Sequence, residues 1–241
     1  RVQPEPPPTA SIEASSPSPA PSLRRERSPV QCFRVQAMSV ERNQDWGEVA
    51  EVPDGIEWFS SDRAASVAIS TARRANKPLP QVGLTGGDLY QTLGGGFRST
   101  PPAQGTPATK LSIDLGAALL DGKLHWFLAH LVARRSWLRG PVVVAANAAH
   151  LGSWNIAPKA HPGDGRLDTL EASLAFSDRL KARSRLPLGT HVPHPDITMR
   201  RSKASQWEFK RGMPIYLDGT RTAVVHSLSI RLEIDALDVW I

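Results

Sequence analysis

Alternation of apolar and polar positions is sharpest near the C-terminus, where Leu228, Ile230, Leu232 and Ile234 take turns with Ser227, Ser229, Arg231, Glu233 and Asp235. A period of two predicts a strand with one buried face and one wet face. The same period recurs at Trp207 with Phe209, at Ile215 with Leu217, and at Leu111, Ile113 and Leu115. Further apolar runs at Leu124, Trp126 and Leu128, and from Val142 to Ala146, are bounded by Gly or Asp and read as short strands. Two segments break this texture. Arg63 to Ala75 is rich in Ala, free of Gly and Pro, and ends on Arg73 and Arg74, which predicts a helix stopped by Lys77-Pro78-Leu79-Pro80. Phe176 to Arg185 predicts one amphipathic helix between strands. The pattern is therefore α+β, with a mixed α/β portion over 31–110 and an antiparallel β-rich portion over 111–241.

Composition separates off the start of the chain. Eight of the 21 prolines fall within the first 29 of the 241 residues, among many Ser and Ala. Such a segment buries too little apolar surface to offset its ordering entropy, so 1–30 reads as a disordered linker, with Arg24, Arg25 and Arg27 beside Ser28 as a possible docking tail. A single cysteine, Cys32, excludes a disulfide framework and fits a reducing, cytoplasmic setting. There is no run of 18 apolar residues to span a bilayer and no apolar signal-peptide core. The chain begins on Arg1, so an upstream segment is expected to be missing.

Net charge is +6, and it has an address. Between Asp178 and Arg211 nine basic residues face three acidic ones, and the remainder of the chain sums to zero. Such a patch suits an anionic membrane surface or is simply a solvated face. Nucleic-acid binding lacks a motif and is not expected.

Candidate chemistry begins with Gly83-Leu84-Thr85-Gly86-Gly87-Asp88-Leu89. Glycines there would let backbone N–H groups approach a phosphate and Thr85 would add a hydroxyl, although the same residues also describe a tight turn. No Walker lysine pattern or spaced dinucleotide fingerprint accompanies them. His191 and His194 have a chelating spacing that His125 and His130 could extend, but without acidic or thiol partners they read as polar loop residues. The tryptophans, Trp126, Trp154 and Trp207 among them, read as core or sheet-face residues.

The run from Val143 through Ala146-Asn147, Gly152, Ile156-Ala157-Pro158 and Asp164-Gly165-Arg166-Leu167-Asp168 resembles the C-terminal β-sandwich domain of the bacterial diacylglycerol kinases and related lipid kinases. Thr85-Gly86-Gly87-Asp88-Leu89 is similar to that family's Gly-Thr-x-Asn-Asp loop, and Ile215-Tyr216-Leu217-Asp218-Gly219 to its Asp-Gly-Glu turn. The resemblance covers about 79–241 and implies a reduced α/β nucleotide-binding-like portion followed by an antiparallel β-sandwich domain. It implies ATP and Mg2+ as cofactors, with Asp62, Thr85, Gly86, Gly87 and Asp88 at the nucleotide, and Asp218 as the base that takes the proton of a lipid hydroxyl. His161, Asp164 and Arg166 fall where the family holds a structural divalent ion. A peripheral location at the inner face of a membrane, a lipid substrate and a homodimer belong to the same set of expectations.

Departures from the family pattern weigh against catalysis. Ser60-Ser61-Asp62-Arg63-Ala64 stands where the family has Gly-Gly-Asp-Gly-Thr, Gly87 replaces an asparagine, and Thr220 replaces the glutamate of Asp-Gly-Glu. The strand and helix pairs that precede the first loop in the family are not recognisable. Two functions follow: a lipid kinase if active, or a catalytically inactive module that binds lipid, nucleotide or a protein partner. Asp62 and Asp88 read equally as helix N-caps, Asp218 more readily as a hairpin turn residue than as a base, and the Asp164 turn slightly more readily as an ordinary turn without metal.

Overall fold

The computed structural model describes residues 46–96 and 100–241. The Pro-rich segment, Cys32 and the start of the 31–110 portion lie outside the described residues. The order of elements is β1 (Glu48–Glu51), β2 (Glu57–Phe59), α1 (Asp62–Arg74), β3 (Val82–Leu84), α2 (Asp88–Thr92), β4 (Pro107–Leu120), β5 (Lys123–Phe127), β6 (His130–Arg134) and β7 (Val142–Ala146). It continues through β8 (His150–Leu151), β9 (Trp154–Asn155), β10 (Leu167–Ala172), α3 (Phe176–Arg185), a 3-10 turn at Leu186–Leu188, β11 (Ile197–Ser202), β12 (Ala204–Leu217) and β13 (Thr220–Trp240). Both predicted helices form, each within a residue or so of its expected span.

Among the described residues eleven strands make one sheet, ordered β1-β4-β13-β12-β6-β7-β10-β11, with β5 beside β4 and the β2–β3 pair joined to β13. All pairings are antiparallel except those of β3 with β13 and with β2. The sheet turns back on itself, so Leu120, Phe127, Leu131, Val143, Leu167 and Ile215 from six strands meet in one buried core. That is the expected sandwich, and the α+β class holds. The boundary drawn between 110 and 111 falls inside β4, and β1 and β3 both hydrogen-bond into the same sheet. A second core, with Ile69, Leu84, Leu89, Ile113 and Val239, lies where α1 and α2 meet β3, β4 and β13.

In β13 the alternation is not continuous. Leu228 and Ile230 are buried, but beyond a register shift between Glu233 and Leu237 the buried positions become Leu237 and Val239. An irregularity of this kind moves the inward set by one residue. Asp235, at φ 48°, sits in it and donates its backbone N–H to Asp114 Oδ1 at 2.9 Å.

Two Asp-Gly hairpin turns share one design. Asp121-Gly122 joins β4 to β5 and Asp218-Gly219 joins β12 to β13, all four residues having positive φ, as a two-residue turn of the twist-matching kind requires. Each aspartate then uses its carboxylate elsewhere. Asp121 accepts from the backbone N–H groups of His226 and Ser227.

Candidate functional site

α1, α2, the start of β6 and the β12–β13 turn converge, and the acids singled out in the sequence converge with them. Asp62 is the first residue of α1 but does not cap it, since the Ser61 side chain accepts from Ala64 N–H. Its carboxylate reaches across to the start of α2, where Oδ2 accepts from Asp88 N–H at 2.6 Å and Oδ1 from Leu89 N–H at 3.3 Å. The N-cap reading of Asp62 is therefore corrected: it caps a helix 26 residues away in the chain. Gly87, at the N-cap position of α2, has no side chain to offer, and Asp88 uses its Oδ1 to accept from Gly152 N–H at 2.7 Å.

Asp218 buttresses the other side. Its Oδ2 accepts from Leu128 N–H at 2.9 Å, and its Oδ1 from Ala129 N–H at 2.8 Å and His130 N–H at 3.0 Å. Burial pushes Asp218 up to about 6 against the pull of these bonds. Burial, followed by the negative charge of Asp218, pushes Asp62 up to about 7. Two carboxylates in one dry site cannot both ionise cheaply.

The glycine-rich loop has a packing explanation. A Cβ on Gly86 would stand 2.6 Å from Ser60 O, and one on Gly87, at φ 102°, would stand 2.6 Å from Asp62 Oδ1. These glycines let the second loop lie directly against the first. The Thr85 hydroxyl donates to Phe59 O at 3.3 Å, so it serves the backbone of β2. Thr92 ties α2 to the segment after β7: its hydroxyl accepts from Ala149 N–H at 3.0 Å and donates to Asp88 O at 2.8 Å.

Two histidines expected in loops are buried instead. His130 opens β6, with Nε2 3.0 Å from Ala148 O and Nδ1 3.7 Å from Asp88 Oδ2, and burial holds its pKa down. His191, 4% exposed, lies under α3, away from this cleft. Asp114 and Asn147 were also missed. Asp114 is fully buried, accepts from Gly165 N–H at 2.7 Å, and is pushed up to about 6 by desolvation. The Asn147 amide donates to Asp114 O at 2.8 Å and Leu128 O at 3.0 Å.

The turn expected to hold a divalent ion is occupied by an internal cation. The Arg201 guanidinium lies between two carboxylates, its Nε 3.0 Å from Asp168 Oδ1 and one Nη bonded to Asp164 Oδ2. Asp164 Oδ1 accepts from Arg166 N–H at 3.0 Å, and His161 Nδ1 accepts from Gly163 N–H at 3.3 Å. A hard dication needs oxygen ligands turned toward it and cannot share Asp164 with a fixed guanidinium, so these residues do not fit Mg2+. Among the described residues no group of three or more His, Cys, Asp or Glu could hold a metal ion. The melting temperature is accordingly expected to be the same in millimolar magnesium and in EDTA, whereas Arg201→Met should melt lower and regain part of the loss on adding magnesium. A wild-type melt that drops several degrees in EDTA would refute the internal-cation account.

A sandwich with Asp62, Asp88 and the Asp218 turn brought together at the ends of α1, α2 and β6 is the fold of the solved structures named diacylglycerol kinases. Residues 119–240 match the family described as the YegS C-terminal NAD kinase beta sandwich-like domain, and the chain belongs to that family. Two solved structures from Bacillus anthracis str. Sterne, each provisionally designated a diacylglycerol kinase, share the fold. One has 12% identity and a TM-score of 0.55 over 76% of this chain and 75% of its own; the other has 11% and 0.54 over 77% of each. No curated protein matches the sequence.

Proposed function

We propose that the protein is a lipid-binding module on a diacylglycerol-kinase-like fold, working at an anionic membrane surface, with a cleft that holds the structure together and transfers no phosphate. One observation carries this reading: every carboxylate oxygen of Asp62 and Asp218 already accepts at least one backbone N–H. A general base must present a free lone pair to the substrate hydroxyl, whereas Asp218 Oδ1 is filled by two N–H donors and Oδ2 is held against Leu128 N–H. Ser60, Ser61 and Arg63 support the same conclusion, because close backbone approach to a polyphosphate needs glycine.

For the membrane, support comes from the surface of α3 and the turn after it. Phe176, Leu180 and Leu188 are 58%, 48% and 77% exposed, and Lys181, Arg183 and Arg185 are exposed among them. Apolar side chains entering the interface and basic ones near anionic headgroups, at about 1 kcal/mol each, make a peripheral contact. Among the described residues no helix is long and apolar enough to cross a membrane.

Phosphoryl transfer from ATP to a lipid hydroxyl is the second reading, favoured by the meeting of Asp62, Asp88 and Asp218 and by the raised pKa of Asp62 and Asp218. Incubation with labelled ATP, Mg2+ and diacylglycerol vesicles distinguishes the two. The module reading expects no transfer to lipid, together with flotation on phosphatidylglycerol vesicles that weakens with salt and with Leu180→Glu plus Leu188→Glu. Transfer abolished by Asp218→Asn would establish the kinase.

A further inference from the structure

α3 and the 3-10 turn at Leu186–Leu188 form a strap over one face of β7, β10 and β11, and its two ends are fastened unequally. At the N-terminal end the Arg179 side chain donates to the carbonyls of Leu174 at 2.9 Å, Trp137 at 3.3 Å and Gly140. That ties the strap to the turn between β6 and β7. At the other end, among the described residues, the hydrogen bonds of 184–190 stay within the strap: Ser184 donates to Lys181 O, Gly189 N–H to Leu186 O and Thr190 N–H to Arg185 O. What holds this end down is apolar contact, with Leu186 packed on the core of Ile156, Leu170 and Ile197, and the Arg183 guanidinium 5.6 Å from the Trp154 ring.

His191 lies under the loose end. It is 4% exposed, and neither ring nitrogen reaches a hydrogen-bond partner, with only a weak backbone contact at Ile156 beside it. The β6–β7 turn, β7, the β9 segment, β10 and β11 bring only apolar side chains to the groove it lines, and α3 brings Arg179 and Arg183. Among the described residues no carboxylate lines that groove. A neutral imidazole fits such a place, whereas an imidazolium would be a desolvated charge with two guanidiniums and no counter-ion on the same walls. Desolvation accordingly lowers the pKa of His191 from its ordinary 6.5, and the closed strap holds the ring neutral.

We propose that the strap is a proton-operated latch: charging His191 frees the segment from Leu186 to His191 while Arg179 keeps α3 moored, and the apolar surface so uncovered strengthens the hold on an anionic membrane. The inference rests on the membrane-surface reading above and supplies its regulation. Release would add Leu186 and the indole rings of Trp137 and Trp154 to the exposed Leu180 and Leu188. The membrane itself favours release, since an anionic leaflet at about −30 mV concentrates protons at its surface roughly threefold. Only the open strap takes up the proton readily, so closure is complete above the ordinary histidine value and is lost as pH falls below about 6.5. Between pH 7.5 and pH 5.5 the opening equilibrium rises by at most about tenfold. Asp62, Asp114 and Asp218, whose pKa values burial pushes up, respond in the opposite sense, so a global melt would hide the latch and its readout is local.

Hydrogen exchange over 183–190 in the full chain, corrected for the intrinsic effect of pH, should quicken about three- to tenfold from pH 7.5 to pH 5.5. His191→Leu and His191→Gln, one apolar and one polar but neither able to titrate, should each abolish that change, and His194→Leu, in the exposed turn that follows, should keep it. Flotation on phosphatidylglycerol vesicles should strengthen about threefold or more at pH 5.5 in the wild type and stay level in the two His191 variants. Wild-type exchange that ignores pH, or that quickens equally in both His191 variants, would overturn the latch. Flotation with the same pH response in those variants would overturn its coupling to the membrane. Exchange that behaves as expected while no flotation occurs at either pH would overturn the membrane reading above and leave the latch standing.

Discussion

Asp218→Ala is expected to lower stability by about 3 kcal/mol, a fall in Tm of roughly 6–12 °C for a chain of this size. The reason lies in what the carboxylate holds. Leu128, Ala129 and His130 are all buried, and their three consecutive N–H groups point at Asp218. Removing the acceptor leaves three donors dry and unpaired, at about 1 kcal/mol or more each. Asp218→Asn keeps one oxygen, enough for Ala129 and His130, and also removes a charge that burial disfavours, so it should melt within a few degrees of the wild type. The contrast between the two variants is the signature of a structural acceptor. A residue that served only as a base would behave the opposite way, with both variants inactive and both stable. Thermal melts of the three proteins decide it, with hydrogen exchange at Leu128 to His130 as the local readout. An alanine variant that melts with the wild type would refute the buttress.

Much of this arrangement was legible in the sequence, and the remainder was hidden for a physical reason. Period and punctuation located the sandwich strands, because alternation and Asp-Gly turns are local properties. Asp62, Asp88 and Asp218 are brought together, as their shared motifs suggested, but their partners were not foreseen, since each acid bonds backbone from another part of the chain: Asp62 at 88 and 89, Asp88 at 152, Asp218 at 128–130. A local reading of an acid before a helix can only suggest a cap for that helix. Asp62 caps a different one. Asp114 was taken as the polar position of an alternating strand, whereas it is fully buried and joins the Asp-Gly turn at Gly165 to the irregularity at Asp235. The only sequence signal for such a role would have been an acid within an otherwise apolar strand, and that signal is also produced by any solvent-facing residue. His191 shows the same limit, because burial beneath α3 is a tertiary fact that its Pro-flanked neighbourhood conceals. Arg201 was counted as one charge in a basic patch, while cross-strand pairing places it directly opposite Asp168.

The second large effect is a fall in stability as pH rises from about 4 to 7. Asp62 is 6% exposed, and its folded pKa, about 7, lies above the ordinary carboxylate value of 3.8. The native protein therefore holds a proton that the unfolded chain releases. Stability from this linkage is fully present below the unfolded value and is lost as pH rises through about 7. A difference of that size corresponds to an upper bound of about 4 kcal/mol, and Asp114, Asp168 and Asp218, each pushed up to about 6 by burial, act in the same direction. Asp62→Asn isolates the leading contribution, since the amide oxygen can still accept from the start of α2 but carries no charge to desolvate or to repel Asp218. At pH 5, where native Asp62 is protonated but the unfolded chain has already released its proton, the variant should lead the wild type by no more than about 2 kcal/mol. At pH 8 it should be the more stable protein by several degrees. Asp62→Ala should be the less stable at both pH values, because it leaves α2 uncapped. Denaturant unfolding at the two pH values gives all of these differences. Wild-type stability that increases from pH 5 to pH 8, or an Asn variant weaker than the wild type at pH 8, would mean that Asp62 is ionised in the native state and paired with a positive group, and the structural reading of the cleft would fail with it.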